Sequence, residues 1–154
     1  MAMSSEKFNP TKIKDAEYRA LAEFRHHIRR YLEFSDNAAI SAGLEPKQYQ
    51  LLLALKGLGE GVDPTIGNLA ENLCIRHHSA VELVDRAENN GLVERSRSGS
   101  NRSFVFLELT PRGQKMLAEA VAQRLQELRL AGPVLVDALK RLVGGKAASK
   151  GKRK

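Results

Sequence analysis

The stretch from Thr65 to Thr110 constrains the fold most, because its hydrophobic period changes along its length. It begins with two segments whose apolar residues recur at helical spacing, and Cys74-Ile75-Arg76 separates them. Thr65 precedes the first segment and is a candidate helix cap. Gly91 follows the second and can adopt the left-handed conformation that ends a helix. Two short helices joined by a few residues predict a helix-turn-helix.

The pattern beyond Gly91 is typical of strands. A turn-forming cluster, Ser98 to Asn101, lies before the β-branched and aromatic run from Phe104 to Leu109. We therefore predict a hairpin directly after the two helices. The fold class that follows is mainly α with a small β-hairpin wing: a winged helix-turn-helix. Such proteins place a helix in the DNA major groove and a loop beside the phosphates or in the minor groove.

Further apolar helices are predicted on both sides of this stretch. A long helical pattern runs from Asp15 to Ala42, and Gly43 ends it. The nearly all-apolar segment after Pro46 indicates the centre of the core. Thr110-Pro111 opens another helix, which we expect Gly132-Pro133 to break before a last segment from Val134 to Val143. A lone domain has little surface to cover such long helices, so we expect part of them to pack on a second subunit.

These patterns divide the chain into three parts. Residues 1–11 are expected to be a flexible arm, and residues 12–143 a single domain. Within that domain we predict a winged helix over about 44–110 and dimerisation helices over about 12–43 and 111–143. The tail, 144–154, has too little apolar content to fold and is expected to be disordered.

The order of motifs resembles the MarR family of winged-helix transcription regulators. The motifs are LEPKQYQLLLAL, TIGNLAENL, HHSAVELVDRAENNGLVER and then NR before LELTPRG, and the resemblance covers roughly Ala20 to Val143. It implies a homodimer whose terminal helices interleave and whose winged lobes bind a pseudo-palindromic operator on double-stranded DNA. It also implies a repressor that excludes polymerase and is released by a small aromatic or lipophilic effector.

Charge alone is weak evidence for DNA binding. The formal net charge is +7, but the tail from Gly144 to Lys154 holds five basic residues and no acid. The one cysteine agrees with a reducing compartment, and no apolar run approaches the roughly 20 residues of a membrane span. We therefore expect a cytoplasmic protein.

Ten residues are candidates for DNA contact. His78 and Ser79, near the start of the second helix, are expected to reach bases or phosphates, although a solvated face is the alternative. Glu82 would cost affinity beside phosphates unless it accepts from a cytosine amine or pairs with Arg86. The candidates are Arg76, His77, His78, Ser79, Glu82, Arg86, Arg95, Arg97, Asn101 and Arg102.

The wing contributes the last four of these candidates. Arg95 and Arg97 are expected to serve phosphates, and an exposed charge that protects an edge strand is the alternative. The family's Asp-Arg-Arg motif aligns with Asn101, Arg102 and Ser103, so only the middle arginine is kept. Arg102 is expected to enter the minor groove. Asn101 can orient it only by a neutral hydrogen bond, which weakens the support that the family's aspartate gives.

An effector pocket would include Tyr18, His26, Tyr31 and Tyr49, although core packing explains these residues equally well. Neither His26-His27 nor His77-His78 has the i, i+4 spacing of two metal ligands on a helix, so no metal or cofactor is expected. No catalytic motif is present, and we do not expect an enzyme.

Three alternatives remain open. Cys74 could sense oxidants, but we expect it to be a small buried hydrophobic residue. The basic tail could coat DNA without sequence preference, as in an architectural protein. The winged helix could also bind protein and not DNA.

Overall fold

The computed structural model describes residues 10–97 and 105–144. The chain divides into two compact units. The larger one spans Phe34–Gln126, and the smaller one combines the segments on either side of it. In chain order the elements are a 3₁₀ helix (Pro10–Lys12), α1 (Asp15–Ser41), α2 (Pro46–Lys56), α3 (Ile66–Asn72), α4 (His77–Asn89), β1 (Val93–Ser96), β2 (Phe106–Leu109) and α5 (Pro111–Val143).

The core of the larger unit forms around α2, as its apolar sequence predicts. Leu51 and Leu52 on α2 have no exposed surface, and Leu69 on α3 and Val84 on α4 are equally buried. Burying such side chains contributes about 1.5–3 kcal/mol each, so this cluster holds the two helices of the helix-turn-helix in place. The wing joins the same cluster through Leu107.

Three helices in the larger unit end in the same way. In each, a residue with positive φ is followed by a residue whose N–H bonds back five positions. Gly43 (φ 81°) and Gly91 (φ 69°) end α1 and α4 with the bonds Leu44 N to Ala39 O and Leu92 N to Ala87 O, both 2.9 Å. These Schellman ends confirm the predicted role of both glycines. Cys74 (φ 54°) occupies the equivalent position after α3, so there a residue other than glycine adopts the left-handed conformation.

The wing hairpin is anchored at its base by Thr110. Strands β1 and β2 are antiparallel, with Val93 opposite Leu109 and Ser96 opposite Phe106. The Thr110 hydroxyl donates to the Gly91 carbonyl at 2.6 Å and accepts from the Gly113 N–H at 3.0 Å. Thr110 therefore caps α5, as predicted, and also fixes the start of α5 to the end of α4.

The break predicted at Gly132-Pro133 is wrong, because α5 continues through Pro133 to Val143. Proline in a helix interior removes one hydrogen bond and costs about 3 kcal/mol. Leu128, Leu135 and Leu142 recur at seven-residue intervals across the proline, and all three are partly buried. A continuous helix keeps these leucines on one face, and their burial offsets the local cost.

In the smaller unit the two helical segments contact each other through an ion pair. The Arg141 guanidinium donates to the Glu23 carboxylate at 2.9 Å, and Ala138 is buried at the same level of α5. The 3₁₀ helix at Pro10–Lys12 begins within the segment expected to be a flexible arm. Among the residues described, no helix combines the length and the apolar character that crossing a bilayer requires.

Candidate nucleic-acid interface

Helix α4 presents one face to the core and the opposite face to solvent. Ala80, Leu83, Val84 and Ala87 form the buried stripe that the sequence predicts. Because successive residues are about 100° apart around a helix, His78 and Glu82 lie nearly opposite this stripe. The candidates on the exposed side of the helix are His77, His78, Glu82 and Arg86, and Ser79 is half-buried beside them.

The start of α4 is open to an acceptor. Arg76 is the N-cap residue, it is exposed, and its side chain makes no capping hydrogen bond. The first turn of α4 contains no acidic residue. Unpaired N–H groups at a helix start, together with the helix dipole, favour phosphate oxygens. Arg76, His77 and His78 therefore occupy the end of the helix that suits a nucleic-acid backbone.

Arg95 has a different environment from the one expected. Its guanidinium bonds to the Asp85 carboxylate, with 2.5 Å between Nη2 and Oδ1, and to the Glu88 carboxylate through Nη1. The hydrogen bond to Asp85 is the main cause that raises the pKa of Arg95 above its usual value, and the group stays charged. Arg95 thus links β1 to α4 and pairs with two acids of that helix, and its predicted contact with phosphates stays a prediction.

Arg86 also has a carboxylate partner. Its Nη1 lies 3.6 Å from the Oε2 of Glu45, the N-cap residue of α2, and both side chains are more than half exposed. At this exposure an ion pair is weak and exchanges readily with a competing anion. The structure therefore pairs Arg86 with Glu45, and the pairing with Glu82 considered from the sequence is absent.

A cleft of about 250 Å³ separates α4 from the first half of α2. Its walls bring two residues not expected from the sequence, Lys47 and Gln50, next to Ser79, Glu82 and Arg86. Lys47 and Gln50 lie on the exposed side of α2. Their position next to the exposed face of α4 follows from the packing of α2 against α4, which helical spacing alone does not reveal. The Lys47 cation and the Gln50 amide can contact the phosphates of a nucleic acid that binds along α4.

The wing candidates are only partly described. Arg97 lies just beyond β1 and is exposed. Asn101 and Arg102 lie outside the described residues, so their predicted minor-groove role stays a prediction.

The aromatic candidates for an effector pocket have different environments. Tyr18 and His26 are exposed on α1, and Tyr31 is half-buried. Tyr49 is only 6% exposed, and the guanidinium carbon of Arg124 lies 3.4 Å from the centroid of its ring. Arg124 also donates to the Ser35 carbonyl. Tyr49 therefore packs in the core of the larger unit with a cation over its ring.

Cys74 is exposed, so the expectation of a buried hydrophobic residue is wrong. The left-handed turn after α3 points its side chain outward from the helix-turn-helix, which the apolar neighbours in the sequence did not indicate.

These elements together define a winged helix-turn-helix fold, in which α3 and α4 form the helix-turn-helix, the hairpin β1–β2 forms the wing, and long helices lie on both sides. No family model matches the chain. Over 86 residues the chain is 33% identical to an uncharacterized HTH-type transcriptional regulator of Bacillus subtilis, YsmB. The match covers 56% of this chain and 57% of that protein, so it spans little more than half of the curated relative.

Solved structures match over most of the chain. A MarR family transcription regulator superposes with a TM-score of 0.70 at 19% identity, over 85% of this chain and 87% of its own. AbsC, a MarR family regulator from Streptomyces coelicolor, gives 0.69 at 21% identity, over 84% and 90%. MosR from M. tuberculosis, solved in complex with DNA, gives 0.55 at 20% identity, over 79% and 90%.

The predicted fold class is confirmed, and so is the resemblance to the MarR family. The matched proteins are described as transcriptional regulators, in agreement with the expectation that this chain is not an enzyme.

Proposed function

We propose that this chain is a homodimeric, sequence-specific DNA-binding transcriptional repressor that acts in the cytoplasm. The observation that carries the proposal is the exposed start of α4, where Arg76, His77 and His78 surround helix N–H groups without an acidic neighbour in the first turn. A recognition helix contacts base edges with its N-terminal residues. MosR, which shares the fold, was solved bound to DNA.

The exposed apolar surface of the smaller unit supports a dimer. Leu130 is 72% and Val143 77% exposed on α5, and Tyr18 is 59% exposed on α1. Large apolar side chains left exposed on two helices are typical of a subunit interface. A two-fold dimer would present one α4 to each of two half-sites, with centres about 34–36 Å apart.

Repression would be steric, since a dimer that occupies a promoter excludes polymerase. A small aromatic or lipophilic effector would release the dimer by favouring a different spacing of the two recognition helices, because both helices must enter the groove together. Tyr18, His26 and Tyr31 remain the candidate contacts for it. The burial of Tyr49 beneath Arg124 makes Tyr49 a less suitable candidate.

The test is selection of bound fragments from random duplex DNA by the full-length protein. We expect an inverted repeat whose half-sites are one helical turn apart. Affinity for that repeat should fall steeply with salt, with a slope near −0.9 in log–log form for each phosphate contact. Failure to enrich any sequence, or a flat salt dependence, would contradict the proposal.

Two variants separate this function from non-specific coating of DNA. Removal of Lys146 to Lys154 should leave the selected sequence unchanged if α4 reads it, whereas an architectural protein would lose most binding. Arg102→Ala should weaken binding to the selected duplex more than to random duplex if the arginine enters a sequence-dependent minor groove.

A further inference from the structure

Three acidic residues lie on α4, and they differ in their ion-pair partners. Asp85 and Glu88 both accept from the guanidinium of Arg95. Glu82 is exposed and has no hydrogen bond or ion pair with any residue in ranges 10–97 and 105–144. The acids in the second half of the helix are therefore neutralised, and the acid nearer its start is not.

The nearest basic residue on the same helix does not neutralise Glu82. Arg86 is four positions further on, which is the spacing at which two side chains on a helix can meet. Its guanidinium is directed instead to Glu45 on α2, with 3.6 Å between Nη1 and Oε2. Glu82 therefore has no ion-pair partner among the described residues on the exposed face of α4.

The position of Glu82 is suited to base contact. It lies nearly opposite the buried stripe of α4 and less than two turns from the helix start. It shares the cleft wall with Ser79, whose hydroxyl can both donate and accept. A side chain at this place on a recognition helix reaches base edges in the major groove.

The chemistry of a bare carboxylate selects one base. In the major groove guanine offers only acceptors, which repel a carboxylate. Thymine offers an acceptor and a methyl group, and neither can donate a hydrogen bond to a carboxylate. Adenine has an amino donor but an acceptor directly beside it. Cytosine offers its N4 amino donor, to which a carboxylate is the matching acceptor.

We propose that Glu82 is a specificity-determining residue that accepts a hydrogen bond from the amino group of a cytosine in each half-site. This inference rests on the proposed function. Phosphates on either side of the groove repel the carboxylate, and a cytosine at the matching position offsets that repulsion with a hydrogen bond.

The experiment compares the sequences selected from random duplex DNA by wild type, Glu82→Ala and Glu82→Gln. Wild type should enrich cytosine at one symmetric pair of positions, and binding should fall about ten- to a hundredfold when that base is replaced. Glu82→Ala should lose the preference at that pair only. Glu82→Gln should shift the base preference at that pair towards adenine. The glutamine amide can donate to adenine N7 and accept from the N6 amino group. Glu119→Gln, an exposed acid on α5, is the matched control and should keep the wild-type preferences.

The outcomes distinguish failure of this inference from failure of the proposed function. If Glu82→Ala selects the wild-type sequence unchanged, or binds all duplexes more tightly by one common factor, Glu82 is only a repulsive charge and the inference is overturned. If wild type enriches no sequence at all, the proposed function fails and this inference fails with it. Melting temperatures of the four proteins verify that the variants are folded. Loss of stability lowers binding to every duplex and does not change the base preference.

Discussion

The guanidinium of Arg95 bonds to the carboxylate of Asp85 with 2.5 Å between Nη2 and Oδ1, which ties the first wing strand to α4. Together with the bond to Glu88, it forms a bridge between β1 and α4; Asp85 lies ten residues before Arg95 and Glu88 seven residues before it. The orientation of the wing therefore depends on charges of the helix it follows.

Loss of this bridge should destabilise the protein modestly. We expect Arg95→Ala to lower the free energy of unfolding by about 1 kcal/mol, because solvent screens a pair in which Arg95 is 30% and Asp85 51% exposed. Urea denaturation followed by circular dichroism measures it. The effects of Arg95→Ala and Asp85→Asn should be less than additive, whereas full additivity would show that the pair is not coupled. Arg97→Ala, an exposed neighbour, is the control.

The helix-turn-helix turn should become more stable with glycine at position 74. Cys74 has φ 54°, a conformation that costs a residue with a side chain about 1 kcal/mol relative to glycine. Cys74→Gly should therefore raise the free energy of unfolding by up to about that amount. Cys74→Val should lower it, since a β-branched residue tolerates positive φ least.

Gly91 supplies the reciprocal control for this prediction. It has φ 69°, and a Cβ placed there meets nothing within 4 Å, so Gly91→Ala should be destabilising through backbone strain alone. Opposite signs for Cys74→Gly and Gly91→Ala in the same denaturation assay are expected. A destabilised Cys74→Gly protein would show that the thiol makes contacts that outweigh the strain.

Gly113 should tolerate no side chain. A Cβ at this position would lie 2.1 Å from the Leu92 carbonyl oxygen, which also accepts from the Thr110 N–H at 3.1 Å. Gly113→Ala must displace the start of α5 from the base of the wing, and we expect a loss of about 1–3 kcal/mol. Thermal unfolding measures the change.

Gly132→Ala on the same helix is the matched control for Gly113. A Cβ there meets nothing within 4 Å, and alanine favours a helix over glycine by up to about 1 kcal/mol. This variant should be stabilised. Equal effects of the two substitutions would contradict the close approach at Gly113.

Leu130 should be required for the proposed dimer. It is 72% exposed in the single chain, so Leu130→Lys costs little within one subunit but would bury a charge in the interface. We expect a concentration-dependent shift towards monomer in size-exclusion chromatography with light scattering. Val62→Lys, at a 44% exposed position in the larger unit, should leave the mass unchanged. A wild-type protein that is monomeric at all concentrations would contradict the proposed dimer.

Local sequence signals were sufficient for most of the architecture. Gly43 and Gly91 ended their helices, and Thr65 and Thr110 capped theirs, because caps and left-handed ends depend on a few neighbouring residues. The buried stripe of α4 followed from its period alone. The same local reasoning failed at Pro133, where the common face of distant leucines outweighed the local preference of proline.

The sequence by itself determined the winged-helix fold and the exposed face of α4, since hydrophobic period and capping act over one or two turns of chain. Only the tertiary structure decided how the charges pair: Arg95 with Asp85 and Glu88, Arg86 with Glu45, and Glu82 with no residue among those described. Charge pairing depends on distances of a few ångströms between elements that are separate in sequence, and no periodic pattern encodes those distances.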